Sequence, residues 1–169
     1  DWSSDVCSSD LMDMPTTFLF PEGKPEELVP LHSWLIPHFL KADGQTMTVS
    51  VHTFVIKSGA ATILVDTCIG NDKERDAPNW HKRTSDFLDR LGQQGAAREA
   101  VDTVLCTHLH VDHVGWNTVL ENDQWVPTFP NADYLIGREE WAFWGHEDDP
   151  FGKQAKADSI LPIIESDRK

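Results

Sequence analysis

Val101-Asp102-Thr103-Val104-Leu105-Cys106-Thr107-His108-Leu109-His110-Val111-Asp112-His113-Val114-Gly115 is the stretch on which the fold turns. Residues 101–106 form a short apolar run, the pattern of a buried strand. His108 and His110 stand two apart just beyond it, so both imidazoles can point to one side of an extended chain. Asp112 and His113 follow where the chain must turn, helped by Gly115. Four metal-capable side chains thus fall within six residues of a chain that has eight histidines in all, a density that random scatter does not give. Imidazole nitrogen and carboxylate oxygen suit zinc, and also iron, manganese or cobalt. The cluster holds no thiolate, which argues for an open site with a metal-bound water over a closed structural one.

Upstream of this stretch, β-branched and apolar residues dominate 46–57 (Val49, Val51, Phe54, Val55, Ile56). Ser58-Gly59-Ala60 reads as a turn and 62–66 as a second strand, giving a hairpin. Residues 70–79 are polar and read as a loop. Trp80, Phe87, Leu88 and Leu91 share one face at helical spacing, with Gly92 and Gly95 as the stop. Downstream, 115–121 reads as a loop or short helix, 124–129 and 132–136 as strands split by Pro130-Asn131, and 138–144 as a short helix ended by the acids 147–149 and Pro150. Signals over 151–164 are mixed. Residues 12–41 carry Pro15, Pro21, Pro25, Pro30 and Pro37 and read as an irregular approach with a short strand near 33–36. Strands alternating with helices predict an α/β layered (α+β) fold.

The chain has 169 residues, 40% of them hydrophobic, enough for one domain with a real core. Its formal charge of -14, without a Lys/Arg cluster, argues against nucleic acid and anionic membrane partners. Cys7, Cys68 and Cys106 are an odd number without close spacing, so they read as buried free thiols, and a reducing, cytoplasmic setting is expected. Residues 1–11 have no hydrophobic period. They resemble the translation of a sequencing-adaptor oligonucleotide, and Asp167-Arg168-Lys169 is compatible with the same oligonucleotide read from the other end. Residues 1–11 are therefore read as a non-native leader and 167–169 as a non-native tail, flanking a domain over 12–166.

The string Thr107 to Gly115 resembles the His-x-His-x-Asp-His signature of the metallo-β-lactamase superfamily of hydrolases. Ile63-Leu64-Val65-Asp66-Thr67 resembles that family's strand ending in Asp-Thr-Gly, with Cys68 in place of the Gly. Pro130 to Ile136, followed by Glu139, Glu140 and Trp141, resembles its next strand and helix. The likeness covers most of 46–145 and is strongest to the branch of quorum-quenching lactonases and methyl-parathion-type hydrolases. Trp116, where many relatives have Gly, is a departure expected to shape the pocket.

The resemblance implies the N-terminal half of an αββα metallo-β-lactamase sandwich, with the C-terminal half missing. It assigns His108 and His110 to a first metal, and Asp112 and His113 to a second. The metals would be two divalent ions in the intact parent, zinc first, with iron, manganese or cobalt as alternatives. Asp112 is also the catalytic candidate, able to orient the nucleophile or carry a proton. Asp66 is a supporting group behind the ligands, or simply a strand-ending turn residue. Three further ligands, a His, a bridging carboxylate and a last His, are expected beyond Lys169. His146 is read as a surface residue, and His32, His38, His52 and His81 match no ligand. The implied function is metal-dependent hydrolysis, a metal-bound hydroxide attacking a small-molecule lactone or other ester, with the fragment itself inactive. The alternatives are a glyoxalase-II-like thioesterase, a β-lactamase, or a non-catalytic metal-binding module using Trp80, Trp116, Trp125, Trp141 and Trp144 as an aromatic surface.

Overall fold

The computed structural model describes residues 2–144 and 150–166, the side chains of 150–152 apart. The chain divides into two compact units, 10–50 and the larger 1–9 with 51–169. Seven strands are present among the described residues: β1 (Trp2–Pro15), β2 (Thr46–Ser58), β3 (Ala61–Val65), β4 (Thr103–Cys106), β5 (Thr118–Glu121), β6 (Gln124–Pro127) and β7 (Asp133–Ile136). Five of them form one mixed sheet in the order β1-β2-β3-β4-β7, and β5 and β6 form a separate two-stranded ribbon.

The larger unit is built on that mixed sheet. β2 and β3 make the expected hairpin, closed at Ser58↔Ala61, with Gly59 at φ +59° supplying the left-handed turn. β3 runs parallel to β4, and β4 parallel to β7. The register places Val55, Leu64, Val104 and Tyr134 in one row across four strands, and all four are buried. The alternate row, Phe54, Val65, Leu105 and Leu135, lies on the opposite face, as the two-residue period of a strand requires. Phe54, Leu105 and Leu135 are 44%, 37% and 49% exposed. The parallel pairing brings the C-terminal ends of β3 and β4 side by side, so that Asp66 and Thr107 emerge next to each other.

Several expectations change. Residues 115–121 are not a loop or short helix throughout. After a 3-10 turn at Gly115–Asn117, β5 begins and pairs antiparallel with β6. Asn122 and Asp123 connect them at φ +52° and +61°, the two left-handed residues of a tight hairpin turn. The helix expected from Trp80 starts only at Phe87, as α4 (Phe87–Gln93) in the larger unit. Phe87 and Leu91 are its buried residues. Residues 2–11, which carry no pattern, nevertheless lie in β1, with Cys7 2% exposed. Sheet pairing uses backbone groups that any sequence offers, so a missing side-chain period does not forbid it.

In the smaller unit, the strand expected at 33–36 is instead a helical turn. α1 (Thr16–Leu19), α2 (Pro25–Leu28) and α3 (His32–Leu35) are each four residues long. α3 stops at Ile36, whose backbone is extended (φ −94°, ψ 132°) as a following proline demands.

The remaining helices belong to the larger unit: α5 (Val111–Val114), α6 (Arg138–Trp144), α7 (Pro150–Ala155) and α8 (Leu161–Glu165), with a π-turn at Lys156–Ile160 before α8. The π-turn carries Asp158. Its carboxylate takes a two-pronged pairing from buried Arg75, at 2.7 and 3.0 Å. Lys73 donates to the Asp158 carbonyl (2.8 Å) and to the Thr118 hydroxyl (2.5 Å), with its ammonium 3.5 Å from the centre of the Trp125 ring. Burial pulls the Lys73 ammonium down to about 7 against the opposing Asp158 charge. These contacts tie the last described turns to the 70s loop and the β5–β6 ribbon.

Candidate metal centre

The histidine string leaves β4 at Cys106, crosses 107–110 without regular structure, and enters α5. Leu109, Val111 and Val114 are 1%, 3% and 0% exposed, and anchor it in the core. The side chains between them are turned outward: His108, Asp112 and His113 are half-buried and His110 is exposed. A second segment, Asp66 to Gly70, is sewn to this one backbone to backbone. Thr67 N–H donates to His113 O (2.6 Å), Gly115 N–H to Cys68 O (2.7 Å) and Trp116 N–H to Thr67 O (2.9 Å). The approach is so close that a Cβ on Gly115 would lie 1.8 Å from the Ile69 carbonyl oxygen. Only glycine fits there.

Cys68, where the family's strand ends in Gly, adopts the left-handed backbone that Gly favours. It sits at φ +53°, and Asp66 at φ +60°, in the left-handed region at a cost of about 1–2 kcal/mol for a residue with a Cβ. The Cys68 side chain is fully buried with its sulfur 3.4 Å from the Thr53 hydroxyl. Burial pushes its thiol up to about 11 and that of Cys106 to about 12, so both stay protonated and inert. Trp116 belongs to the core and not to a pocket wall: it is 3% exposed and stacks on Phe87, ring centres 5.8 Å apart.

Asp66 organises the cluster. Its Oδ1 accepts the Thr107 backbone N–H (2.8 Å), and its Oδ2 accepts the Thr107 hydroxyl (2.7 Å) and faces His113 Nδ1 (2.8 Å). A carboxylate only accepts, so His113 carries its proton on Nδ1 and its Nε2 is turned outward, 3.4 Å from Asp112 Oδ2. The Thr107 hydroxyl spends its proton on Asp66, so its oxygen accepts from His108 Nδ1 at 3.1 Å. His108 Nε2 is left bare, 3.2 Å from His110 Nδ1. One buried carboxylate therefore sets the orientation of two imidazoles, one directly and one through a threonine. Rings of His108 and His113 lie 3.8 Å apart, and those of His108 and His110 4.6 Å.

The charges follow this geometry. Burial alone would raise Asp66, but hydrogen bonds from His113 and Thr107 hold its carboxyl below the usual range. The same balance, with His113 as the main partner, lowers Asp112. Burial opposes the charge on His113, yet the hydrogen bonds to Asp112 and Asp66 lift it to about 9. His108 is lowered by burial and by its histidine neighbours.

Two donor pairs result, His108 Nε2 with His110 Nδ1 and His113 Nε2 with Asp112 Oδ2. Ligands about 2.0–2.2 Å from a tetrahedral zinc are about 3.4 Å from each other, so each pair has the spacing of neighbouring ligands on one small cation. Among the described residues no group of three or more His, Cys, Asp or Glu side chains is arranged to hold a metal ion. The donors thus fit a cation two by two in chemistry, His113 giving up its Nε2 proton on binding, and each pair falls short of a full shell.

The other histidines are placed elsewhere. His52 packs edge-on against Phe54 on the sheet, His81 Nδ1 takes the Arg75 backbone N–H, and His32 and His38 belong to the smaller unit. His146 lies outside the described residues. Thr107 and Glu140 enter the sequence reading only as parts of family-like strings and Trp144 only as part of an aromatic surface, yet all three touch the cluster. The Leu109 N–H donates to Glu140 Oε1 (2.9 Å), and the Trp144 ring meets His110 edge-on at 5.0 Å. For Thr107 the signal is its place just before His108. For Glu140 and Trp144 the four-residue spacing on a helix is visible in the sequence, but not what it faces.

The profile of the Metallo-beta-lactamase superfamily matches residues 47–167. The chain belongs to the metallo-beta-lactamase superfamily. Solved structures agree on the fold. A probable metal-dependent hydrolase from Staphylococcus aureus superposes with a TM-score of 0.71 at 17% identity, over 94% of this chain and 55% of its own. AidC, a dizinc quorum-quenching lactonase in complex with its product N-hexnoyl-L-homoserine, gives 0.71 at 18% identity, over 100% and 57%. AbOPH, a hydrolase in the beta lactamase superfamily, gives 0.69 at 23%, over 99% and 56%. This member of the superfamily therefore spans little more than half the length of the solved structures it matches. No curated protein matches it. Among the described residues no helix is long and apolar enough to cross a membrane.

Proposed function

We propose that the chain is the N-terminal part of a metal-dependent hydrolase acting on a lactone or other small ester, with His108, His110, Asp112 and His113 as the first ligands of its two-cation centre. The observation that carries this is the Asp66 relay. A buried carboxylate that fixes the tautomer of one histidine directly, and of another through Thr107, is the arrangement that presents imidazole lone pairs to a cation.

A divalent cation held there, zinc first, would supply a Lewis acid for the substrate carbonyl and a more acidic water near neutral pH. The residues of the chain do the rest. His108 and His110 hold one side of the centre, and His113 and Asp112 the other. Asp66 keeps His113 and His108 from turning. The Asp112 carboxylate, held ionised, can orient a water molecule or take its proton at the oxygen not facing His113. Superfamily membership and the lactonase fold neighbours support the substrate class. Three further ligands are expected beyond Lys169, so this piece alone should not turn over substrate. The acidic charge fits small neutral or cationic substrates better than nucleic acid.

The test is a zinc-loaded protein extended beyond Lys169, assayed against lactone, thioester, phosphotriester and β-lactam panels. Lactone or ester turnover abolished by His110→Ala is expected. Turnover unchanged in that variant overturns the proposal. Thioester or β-lactam preference would move the substrate class while keeping the centre.

A further inference from the structure

The segment carrying His108 and His110 has no strand or helix of its own to hold it. Its one buried anchor is Leu109, between the two histidines, 1% exposed. A buried backbone N–H outside any ladder needs a partner, and the partner comes from 31 residues away: Glu140 Oε1 at 2.9 Å. Glu140 is half-buried and lies on α6. Four residues further along the same helix is Trp144, whose ring stands edge-on to His110, centres 5.0 Å apart and planes at 73°. Residues four apart share a helix face. One face of α6 therefore grips the string twice, at the peptide joining His108 to Leu109 and at the His110 ring.

We propose that Glu140 is a positioning residue that sets the separation of His108 and His110, with Trp144 steadying the second imidazole. The inference rests on reading those histidines as cation ligands, and it adds a control on them that the Asp66 relay does not give. Asp66 fixes His113 directly and His108 through Thr107, but reaches His110 only through the His108 imidazole, with nothing to hold the peptide between them. Rotating the 108–109 peptide would swing the histidines on either side of it and change the 3.2 Å between His108 Nε2 and His110 Nδ1. Glu140 blocks that rotation by accepting the peptide's N–H. Its charge is not needed for this, only its oxygen, so glutamine should serve and alanine should not.

The experiment uses the 169-residue chain, unsubstituted and as Glu140→Ala and Glu140→Gln. Proton–nitrogen NMR follows exchange of the Leu109 amide and the imidazole nitrogen resonances of His108 and His110, and a zinc titration follows affinity. In Glu140→Ala the Leu109 amide should exchange at least about tenfold faster, the His110 resonances should move, and zinc should bind about tenfold or more weakly, the usual effect of removing a group that orients a ligand. Glu140→Gln should restore all three. The proposal is overturned if the alanine variant leaves the amide and both imidazoles unchanged, or if glutamine behaves like alanine. Should the unsubstituted chain take up no zinc, the metal reading of the cluster falls, while the amide and imidazole signals still judge Glu140.

Discussion

Asp66→Asn is a near-isosteric change that tests the relay at its centre. The amide keeps one oxygen for the Thr107 N–H, and Asn tolerates the left-handed backbone at this position as well as Asp does. It sets an NH2 donor against two other donors, the Thr107 hydroxyl and His113 Nδ1–H, where the carboxylate accepted both. Each hydrogen bond to a charged group contributes about 1.5–3 kcal/mol. Thr107 can turn its hydroxyl to accept, so a net loss of about 2–4 kcal/mol is expected. For a domain of this size that is a fall of roughly 5–15 °C in Tm. The change also has a pH signature in the metal-free chain. His113 titrates at about 9 in the fold against an ordinary 6.5. The folded state thus keeps a proton that the unfolded chain releases. The stability this gives is fully present below pH 6.5 and is lost as pH rises through about 9. With Asn at position 66 one of the two carboxylates holding that proton is gone, so the loss between pH 6 and 9 should shrink. Urea unfolding in chelator at several pH values, followed by circular dichroism, measures both effects. Equal midpoints at pH 6 together with an unchanged pH slope would refute the relay.

Gly115→Ala should prevent cooperative folding, because the new methyl would sit 1.8 Å from a carbonyl oxygen that cannot move without breaking the Cys68–Gly115 hydrogen bond. Gly92→Ala, inside α4 with nothing within 4 Å, should instead raise stability by about 0.5–1 kcal/mol; thermal melts should show a raised midpoint for Gly92→Ala and no cooperative transition for Gly115→Ala. Asp158→Ala leaves the buried Arg75 and Lys73 without their carboxylate and should cost about 3–5 kcal/mol; a urea midpoint within error of the unsubstituted chain would show that the triad contributes nothing. Lys73→Met removes a group whose folded state lacks, above pH 7, a proton that the unfolded chain retains up to about 10.5; that gain offsets the His113 loss up to about pH 9, so urea midpoints of the variant should fall more steeply between pH 7 and 9 than those of the unsubstituted chain.

The parts of this architecture that are legible in the sequence are those whose signals are local. The β2–β3 hairpin shows in its alternation and in Gly59. β4 and β7 show as short apolar runs, and α6 as a short helix over 138–144, its expected stop at 147–149 lying outside the described residues. The donor cluster is legible because its four side chains come from six consecutive residues, and Asp66 because a strand ends on it. What stays hidden is non-local. That Thr107 relays Asp66 to His108 depends on β3 and β4 lying parallel, and that Glu140 caps Leu109 depends on where β7 delivers α6. β5 escapes for a smaller reason: four residues are too few to show a period, and only the Asn122-Asp123 turn marks where it ends. β1 is invisible to patterning because backbone pairing there needs no hydrophobic period. The resemblance assigns the four donors to two cations, two by two, with three ligands still to come, and in three dimensions they stand as two pairs.

The most direct test of the central claim is a zinc titration of the 169-residue chain, followed by calorimetry and by metal analysis after desalting. Weak, reversible uptake is expected, lost when His108→Ala and His113→Ala are combined and with the fold of the variant intact by circular dichroism. Zinc held equally well by that double variant would contradict the assignment of the cluster, and two tightly held ions in the unsubstituted chain would contradict the claim that its ligand set is incomplete.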